Sequence, residues 1–558
     1  MRPMIPSVLR IPELVYLICS FLTPYSRACL ARACKGLLEP ALNALWETQT
    51  TYNLLTYALS SCIVHTPLPS GKNMIMTCNP TPRSSDWRRV YSYGRRIRRL
   101  IIGRRNGEED SAVGLCPTVI AAWTLCAHKH KLKHSKVLCA HTSRVDWIIL
   151  DKEQLRFEHS LWIRPGLPVL RLHMRSLENW HPRPEFASAL TTLGSKSLVE
   201  LRVDASLTSK KVEDAITEIL RQSPALEVVE LRHMISPDRI LALAALRSLR
   251  ELRIMRLPVF DEELPKPAFP ALRSLYFNWT RHAALMNFLH KIGDVLPNLD
   301  SLTLGFRPSD ALNGLGELTA LCELVAKRCS AVGLAHLSIA DETGGDFDTT
   351  SDEVQYYAAK YEHIRALRSL RGLKTLHIEV WGHVDVDDND IELLVSSWPV
   401  LESFRLDKPT ESVYEFDTDV EGAHPFVPRA TAKSLLSIAR HCPDLRELAM
   451  AFNASDLTAI ESRGRPGGGL VQHALRKLDT LHTIIQPDEA LPLTLLLSDV
   501  FPALEKVDSD TELQAEVAKE EGEGIPEGYE SYKKLLELLP IVSKVRWQER
   551  LALKAPRI

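Results

Sequence analysis

The chain has 558 residues, 45% of them hydrophobic and 25% charged, with a formal net charge of -2, a balance that suits a soluble folded protein and offers no global field to select nucleic acid or a membrane. No apolar run is long enough to cross a bilayer. The 11 cysteines, an odd number without a dense framework, point to reduced thiols and to a cytoplasmic or nuclear location.

The first expected elements are short helices. Leu14, Leu17, Ile18, Phe21 and Leu22 fall on one helical stripe. Pro12 and Glu13 interrupt the apolar run, so a secretory leader ending at Ala31-Arg32-Ala33 is not expected. Thr23 and Pro24 stop this helix and start the next, as N-cap and first-turn proline. Leu30, Cys34, Leu37 and Leu38 make a second stripe, and Glu39-Pro40 reads as the opening of a third helix carrying Leu42, Leu45 and Trp46. Three such helices enclose a marginal core, so the module is expected to dock on a partner or on its own chain. A cap closing the array that follows is the second reading of the same helices.

Ile11-Pro12-Glu13-Leu14, Phe21-Leu22-Thr23-Pro24, Leu30-Ala31-Arg32-Ala33-Cys34-Lys35 and Leu45-Trp46 together resemble an F-box. The family's Trp shortly after the Cys is Leu37 here. The resemblance implies contact with a Skp-type adaptor through Pro12, Leu14, Ile18, Phe21, Leu22, Pro24 and Leu30, and through that adaptor with a cullin–RING ubiquitin ligase.

Residues 49–85 read as a linker. Nine arginines between Arg83 and Arg105 face Asp86 as the one acid. They are expected to flank the first strand on solvated faces, with nucleic acid not expected as a partner. Cys116, Cys126, His128, His130, His134, Cys139 and His141 include zinc-ligand types, but apart from His130 and His134 they lack paired ligand spacing. They read as an irregular basic insertion, and neither a metal nor a cofactor is expected.

From there a repeat governs the chain. Apolar residues recur in the order apolar, two variable, apolar, one variable, apolar. Copies begin at Leu198, Leu226, Leu249, Leu272, Leu299, Leu334, Leu373, Leu401 and Leu445, with looser ones at Ile97, Val145, Leu167 and Leu504. The last four positions alternate as in a strand. Intervening segments read as helices. Val212, Ala215, Ile216, Ile219 and Leu220 share one face, and so do Ile391, Leu394, Val395 and Trp398. Pro224, Pro270, Pro297, Pro399, Pro443 and Pro502 each stand two residues before a strand's first apolar residue, where proline ends a helix and favours extended backbone. A short strand buries its apolar face only by stacking on its neighbours, so the expected fold is an α/β solenoid. A doubly wound sheet is the alternative, but no Gly-rich turn follows these strands.

This pattern resembles an irregular leucine-rich repeat over roughly residues 90–510, without the family's regular Asn. The resemblance implies a horseshoe whose variable strand positions line the concave surface. Arg171, Arg202, Glu230, Arg232, Arg253, Tyr276, His377 and Arg405 occupy such positions and are the candidate client-binding residues, since Arg and Tyr suit protein recognition. Residue by residue, a solvated charged face is the ordinary alternative.

The acid-rich segments 341–353 and 385–390 read as loops and helix starts rather than calcium loops. Gly467-Gly468-Gly469 reads as a flexible loop, without the Lys-Ser/Thr of a phosphate cradle. Residues 508–530 are acidic and read as mobile, and Tyr529 to Leu539 as a last helix.

The expected organisation is an F-box-like module at 1–48, a linker at 49–85, a repeat array at 86–510, an acidic flexible segment at 511–530 and a helical cap at 531–558. No nucleophile, base and orienting group share a local motif, so catalysis is not expected. The expected function is a ligase substrate receptor with an unidentified protein client and no membrane partner. The alternative is a leucine-rich-repeat interaction scaffold outside any ligase.

Overall fold

In the computed structural model the repeat's strand positions become strands. The structure describes residues 11–67, 74–79, 82–102, 113–115, 139, 141–149, 166–174, 190–191, 195–205, 210–293, 296–307, 314–341, 358–380, 383–407, 427–455, 457, 465–521 and 524–554. The chain is an α/β protein that divides into two compact units, residues 1–254 with 269–271, and residues 255–268 with 272–558.

The first unit opens with three helices, α1 (Pro12–Ser20), α2 (Pro24–Ala33) and α3 (Lys35–Trp46). Then come β1 (Thr48–Thr50), helix α4 (Thr51–Ala58), β2 (Ile63–Pro67), β3 (Met74–Cys78), helix α5 (Ser84–Gly94), β4 (Arg99–Ile102) and β5 (Val113–Leu115). The unit continues with β6 (Arg144–Ile149), β7 (Val169–Met174), β8 (Glu200–Ala205), β9 (Val228–Met234) and the start of β10 (Glu251–Arg256). Parallel pairing joins β1, β4, β6, β7, β8 and β9 in that order. Its register aligns Leu100, Val145, Leu170, Leu201 and Val229, all fully buried.

The second unit carries β11 (Ser274–Arg281), β12 (Ser301–Arg307), β13 (His336–Asp341), β14 (Ala358–Ala359), β15 (Thr375–Glu379) and β16 (His383–Val384). It ends with β17 (Ser403–Leu406), β18 (Glu447–Ala449), β19 (Lys477–Asp479) and β20 (Lys506–Asp508). Eight of these strands pair in parallel, and β14 pairs separately with β16. Leu275, Leu302, Leu337, Leu376, Phe404, Leu448, Leu478 and Val507 stand in one buried row across the eight. In-register parallel pairing carries each copy's central apolar residue onto the next, so one core runs under the whole row.

The connecting helices bury the faces expected of them. Lys210–Gln222 buries Val212, Ala215, Ile216, Ile219 and Leu220. Asp388–Val395 buries Ile391, Leu394 and Val395, and the Asp387 carboxylate caps it by accepting the Asp390 amide at 2.9 Å. Pro224, Pro399, Pro443 and Pro502 follow their helices as punctuation, each opening the way to the next strand.

Several boundaries differ from the sequence expectation. The third helix starts at Lys35 and runs through Pro40, which lies inside it; burial of Leu37, Ala41 and Ala44 in the module's core offsets the i to i−4 hydrogen bond that proline forgoes. The segment expected as a linker holds β1, α4, β2 and β3, and β1 joins the sheet directly by pairing with β4. The copy placed at Val145 is offset: Thr142, Val145 and Trp147 are its buried positions, so a threonine takes the first apolar place. The acidic segment carries a helix at Asp510–Glu521. The last helix extends from Tyr529 to Lys554 and is held where the Tyr532 hydroxyl donates to the Val507 carbonyl at 2.8 Å. Gly468 and Gly469 turn with φ of +60° and +87°. Of the Cys/His-rich stretch only Cys139 and His141 fall within the described residues, and of 341–353 only Asp341 does.

Candidate functional site

Helix α1 spends little of its apolar surface on its own core. Val15 and Cys19, four residues apart, are the two residues it buries, against Ala31, Leu37, Ala41 and Ala44 of the following helices. The other face therefore stays outside. Leu14 is 37% exposed, Leu17 54%, Ile18 39% and Phe21 84%. Pro12 and Pro24 are also exposed, as is Tyr25 of α2. Leu22 is half-buried, and Leu30 packs against the module's core. Five of the seven residues expected at an adaptor contact are thus exposed, with Leu14, Ile18 and Phe21 on one helical stripe, while Leu30 is given mainly to the core. An exposed apolar stripe on a small module points to an interaction surface.

The module is held from its other side. Thr23 caps α2 by accepting the Ser26 amide at 3.2 Å, with Pro24 in the first turn. Trp46, at the end of α3, is buried and stacks on Tyr93 with ring centroids 4.3 Å apart. Arg96 donates to both carboxylate oxygens of Glu39, at 2.8 and 3.0 Å, and also to Asn43. The Arg98 and Arg99 amides both donate to the Glu47 carbonyl at 2.9 Å. These contacts fasten α3 to the turn between α5 and β4 and leave the α1 stripe facing away from its own core. Tyr16 lies at the margin, where a hydrogen bond to Glu47, then burial and the Glu47 charge, push its hydroxyl pKa up to about 12.

The second candidate surface is the polar face of the strands. In the first unit it is a ladder of alternating charge. Asp146, buried, accepts from Arg99 and Arg144, with Arg171 at 3.8 Å. Arg171 and Arg202 stand opposite one another in the register, and Glu200 accepts from both, at 2.6 and 2.7 Å. Glu230, also buried, takes Arg202 at 2.9 Å on one oxygen and Arg232 on the other. Burial opposes the charge of Glu200, but the hydrogen bonds and charges of Arg171 and Arg202 outweigh it and hold its pKa below the ordinary carboxylate value. Arg171, Arg202, Glu230 and Arg232 are thus brought together, largely to satisfy one another. Arg253 pairs within its strand with Glu251 at 2.6 Å.

In the second unit Tyr276 is half-buried on β11. His377 shares a 3.0 Å hydrogen bond with the Ser403 hydroxyl, and Arg405 reaches Asp479 at 3.4 Å. Burial lowers the His377 pKa, and the Arg405 charge lowers it further.

Sequence reasoning missed Arg27, whose guanidinium ties the three helices together, and Asp146 and Asp479, which anchor arginines from other strands. The alternating strand positions signal where such acids stand; nothing local signals Arg27. It also missed the convergence of His383, Asp407 and His482, far apart in the chain. No helix among the described residues is long and apolar enough to cross a membrane. No protein-family model matches the chain, and no curated protein matches it.

Proposed function

We propose that this chain is the substrate-recognition subunit of a Skp–cullin–F-box ubiquitin ligase, with an F-box-like module followed by an irregular leucine-rich-repeat solenoid. One observation carries the reading: the stripe Leu14, Leu17, Ile18 and Phe21 is exposed on a module whose opposite side is pinned by Trp46 and Arg96. A terminal cap would turn that stripe inward onto the first strands. The resemblance of the same residues to the adaptor-contacting positions of an F-box supports the assignment. Clients are taken on the polar strand face, where Arg232 and Arg253 are about half exposed and keep guanidinium surface for a partner. Ubiquitin transfer belongs to other subunits, and this chain contributes proximity.

Co-purification with a Skp-type adaptor tests the reading. The full-length protein is expected to retain adaptor stoichiometrically, and a Leu14→Asp, Phe21→Asp double variant is expected to lose it with an unchanged unfolding midpoint. A folded wild type that retains no adaptor overturns the ligase assignment.

A further inference from the structure

The second unit gathers three metal-ligand side chains at one end of its parallel strands. His383 lies on β16, four residues beyond β15; Asp407 immediately follows β17; and His482 follows β19. One ligand atom from each lies within 4.8 Å of the others. Oδ2 of Asp407 is the hub, 3.7 Å from Nδ1 of His383 and 3.9 Å from Nε2 of His482. The two imidazoles stand beside each other with centroids 4.9 Å apart and planes inclined by 53°. Asp407 is buried, and His482 keeps 12% of its side chain exposed.

The spacing is informative. At 3.7 and 3.9 Å the two imidazole nitrogens stand too far from the carboxylate oxygen for direct hydrogen bonds. Donors bound at about 2.0–2.2 Å around a tetrahedral zinc ion stand ~3.4 Å from one another. Binding an ion would draw the three donors together from separations of up to 4.8 Å. The donor set, two imidazoles and one carboxylate, suits zinc and neighbouring transition ions, whereas calcium and magnesium prefer all-oxygen shells.

The backbone supports the same centre. Asp407 has φ of +93°, in the region that favours glycine, yet the position carries a carboxylate. Its amide donates to the Ile378 carbonyl at 2.8 Å, and its Oδ2 accepts the Val384 amide at 3.3 Å. The first contact fixes the backbone beside β15, and the second holds the carboxylate against β16. Leu481, beside His482, also has positive φ, at +49°, and its amide donates to Asp479 at 3.1 Å. Two non-glycine residues thus hold glycine-like conformations where the strands deliver their ligands, a form of strain that clusters at functional sites.

We infer that His383, Asp407 and His482 bind a divalent transition-metal ion of the zinc class, clipping together the segments that follow β15, β17 and β19. Three protein donors leave a coordination position for water or for a donor group of a bound molecule. The site is independent of the adaptor-binding reading.

The test uses full-length protein stripped with a chelator and dialysed. Zinc chloride is titrated by calorimetry, and bound zinc is counted by elemental analysis, for wild type and for the His383→Gln, Asp407→Gly and His482→Ala variants. Cysteines and histidines elsewhere in the chain also bind zinc if exposed, so the readout is the difference from wild type. Asp407→Gly relieves the positive φ while deleting the carboxylate, and so keeps the fold available for comparison. The expected result is one equivalent fewer in each variant, and a zinc-induced rise in unfolding midpoint that wild type shows and Asp407→Gly lacks. Cobalt substitution is expected to give visible absorption that the variants lose. Equal zinc uptake by wild type and folded Asp407→Gly, or no uptake by wild type, overturns the inference.

Discussion

The Nε of Arg27 donates to the carbonyl oxygen of Cys19 at 2.7 Å, so a residue of α2 closes the C-terminal end of α1. The same guanidinium donates to the Ala44 carbonyl of α3 at 3.2 Å and to Ser20 at 3.3 Å. Carbonyls in a helix's last turn have no partner within the helix and carry its negative dipole end, so a planar cation shared among them offsets both deficits. Arg27→Ala is expected to destabilise the module by about 2–3 kcal/mol, given ~1.5–3 kcal/mol for a hydrogen bond to a charged group and incomplete additivity. Limited proteolysis should then cut within residues 11–47 first. An unchanged cleavage pattern would refute the bridging role.

Val15 and Leu17 sit two residues apart on α1 with opposite fates, one 1% and the other 54% exposed. Val15→Asp buries a carboxylate without a partner and should unfold the three-helix module. Leu17→Asp should change stability by no more than about 0.5 kcal/mol, as surface substitutions do, yet weaken adaptor retention. Urea unfolding read beside adaptor pull-down separates the two. Equal stability losses for both variants would mean that the stripe is buried in solution.

The Arg202 and Glu230 pair stands directly opposite across β8 and β9. Removing Arg202 leaves the almost wholly buried Glu230 with Arg232 in place of two arginines. Arg202→Ala should destabilise the first unit, and Glu230→Leu in the same chain should recover part of the loss, since a well-packed apolar residue often replaces a buried charge at little cost. A double-mutant cycle is expected to give a coupling of about 0.5–3 kcal/mol. Additive losses would show that the ladder contributes no pairwise stability.

His282 and His377, both in the second unit, have pKa values lowered chiefly by burial, in His377 with help from the Arg405 charge. The unfolded chain takes up these protons near the ordinary value of ~6.5, whereas the folded chain resists them until lower pH. Stability is therefore complete above about 6.5 and declines as pH falls from there toward the depressed folded values. Thermal unfolding midpoints should fall steadily from pH 7.5 to 5.5, and less steeply in a His282→Gln, His377→Gln variant. Matching slopes would remove these two residues as the cause.

The strands were legible because the repeat encodes a local rule, alternation of apolar and variable positions, that parallel neighbours satisfy in common. Where the rule loosens, legibility fails. Leu475 and Leu478 bury themselves around β19, but Thr480 holds the third place and hides the copy. Thr142 hides the register of β6 in the same way, since a fully buried threonine stands where an apolar residue is the signal. β1 offers three residues, too few for any periodicity.

The amino-acid sequence by itself determined which residues turn inward along the strands and helices that keep a regular spacing, and that α1 carries more apolar surface than a three-helix module can bury, because both follow from spacing along a single element. Only the tertiary structure decided which side of α1 stays exposed, which acids neutralise the strand-face arginines, and that His383, Asp407 and His482 meet. Those outcomes depend on the pairing of segments distant in the chain, and side-chain chemistry acts over a few ångströms however many residues lie between.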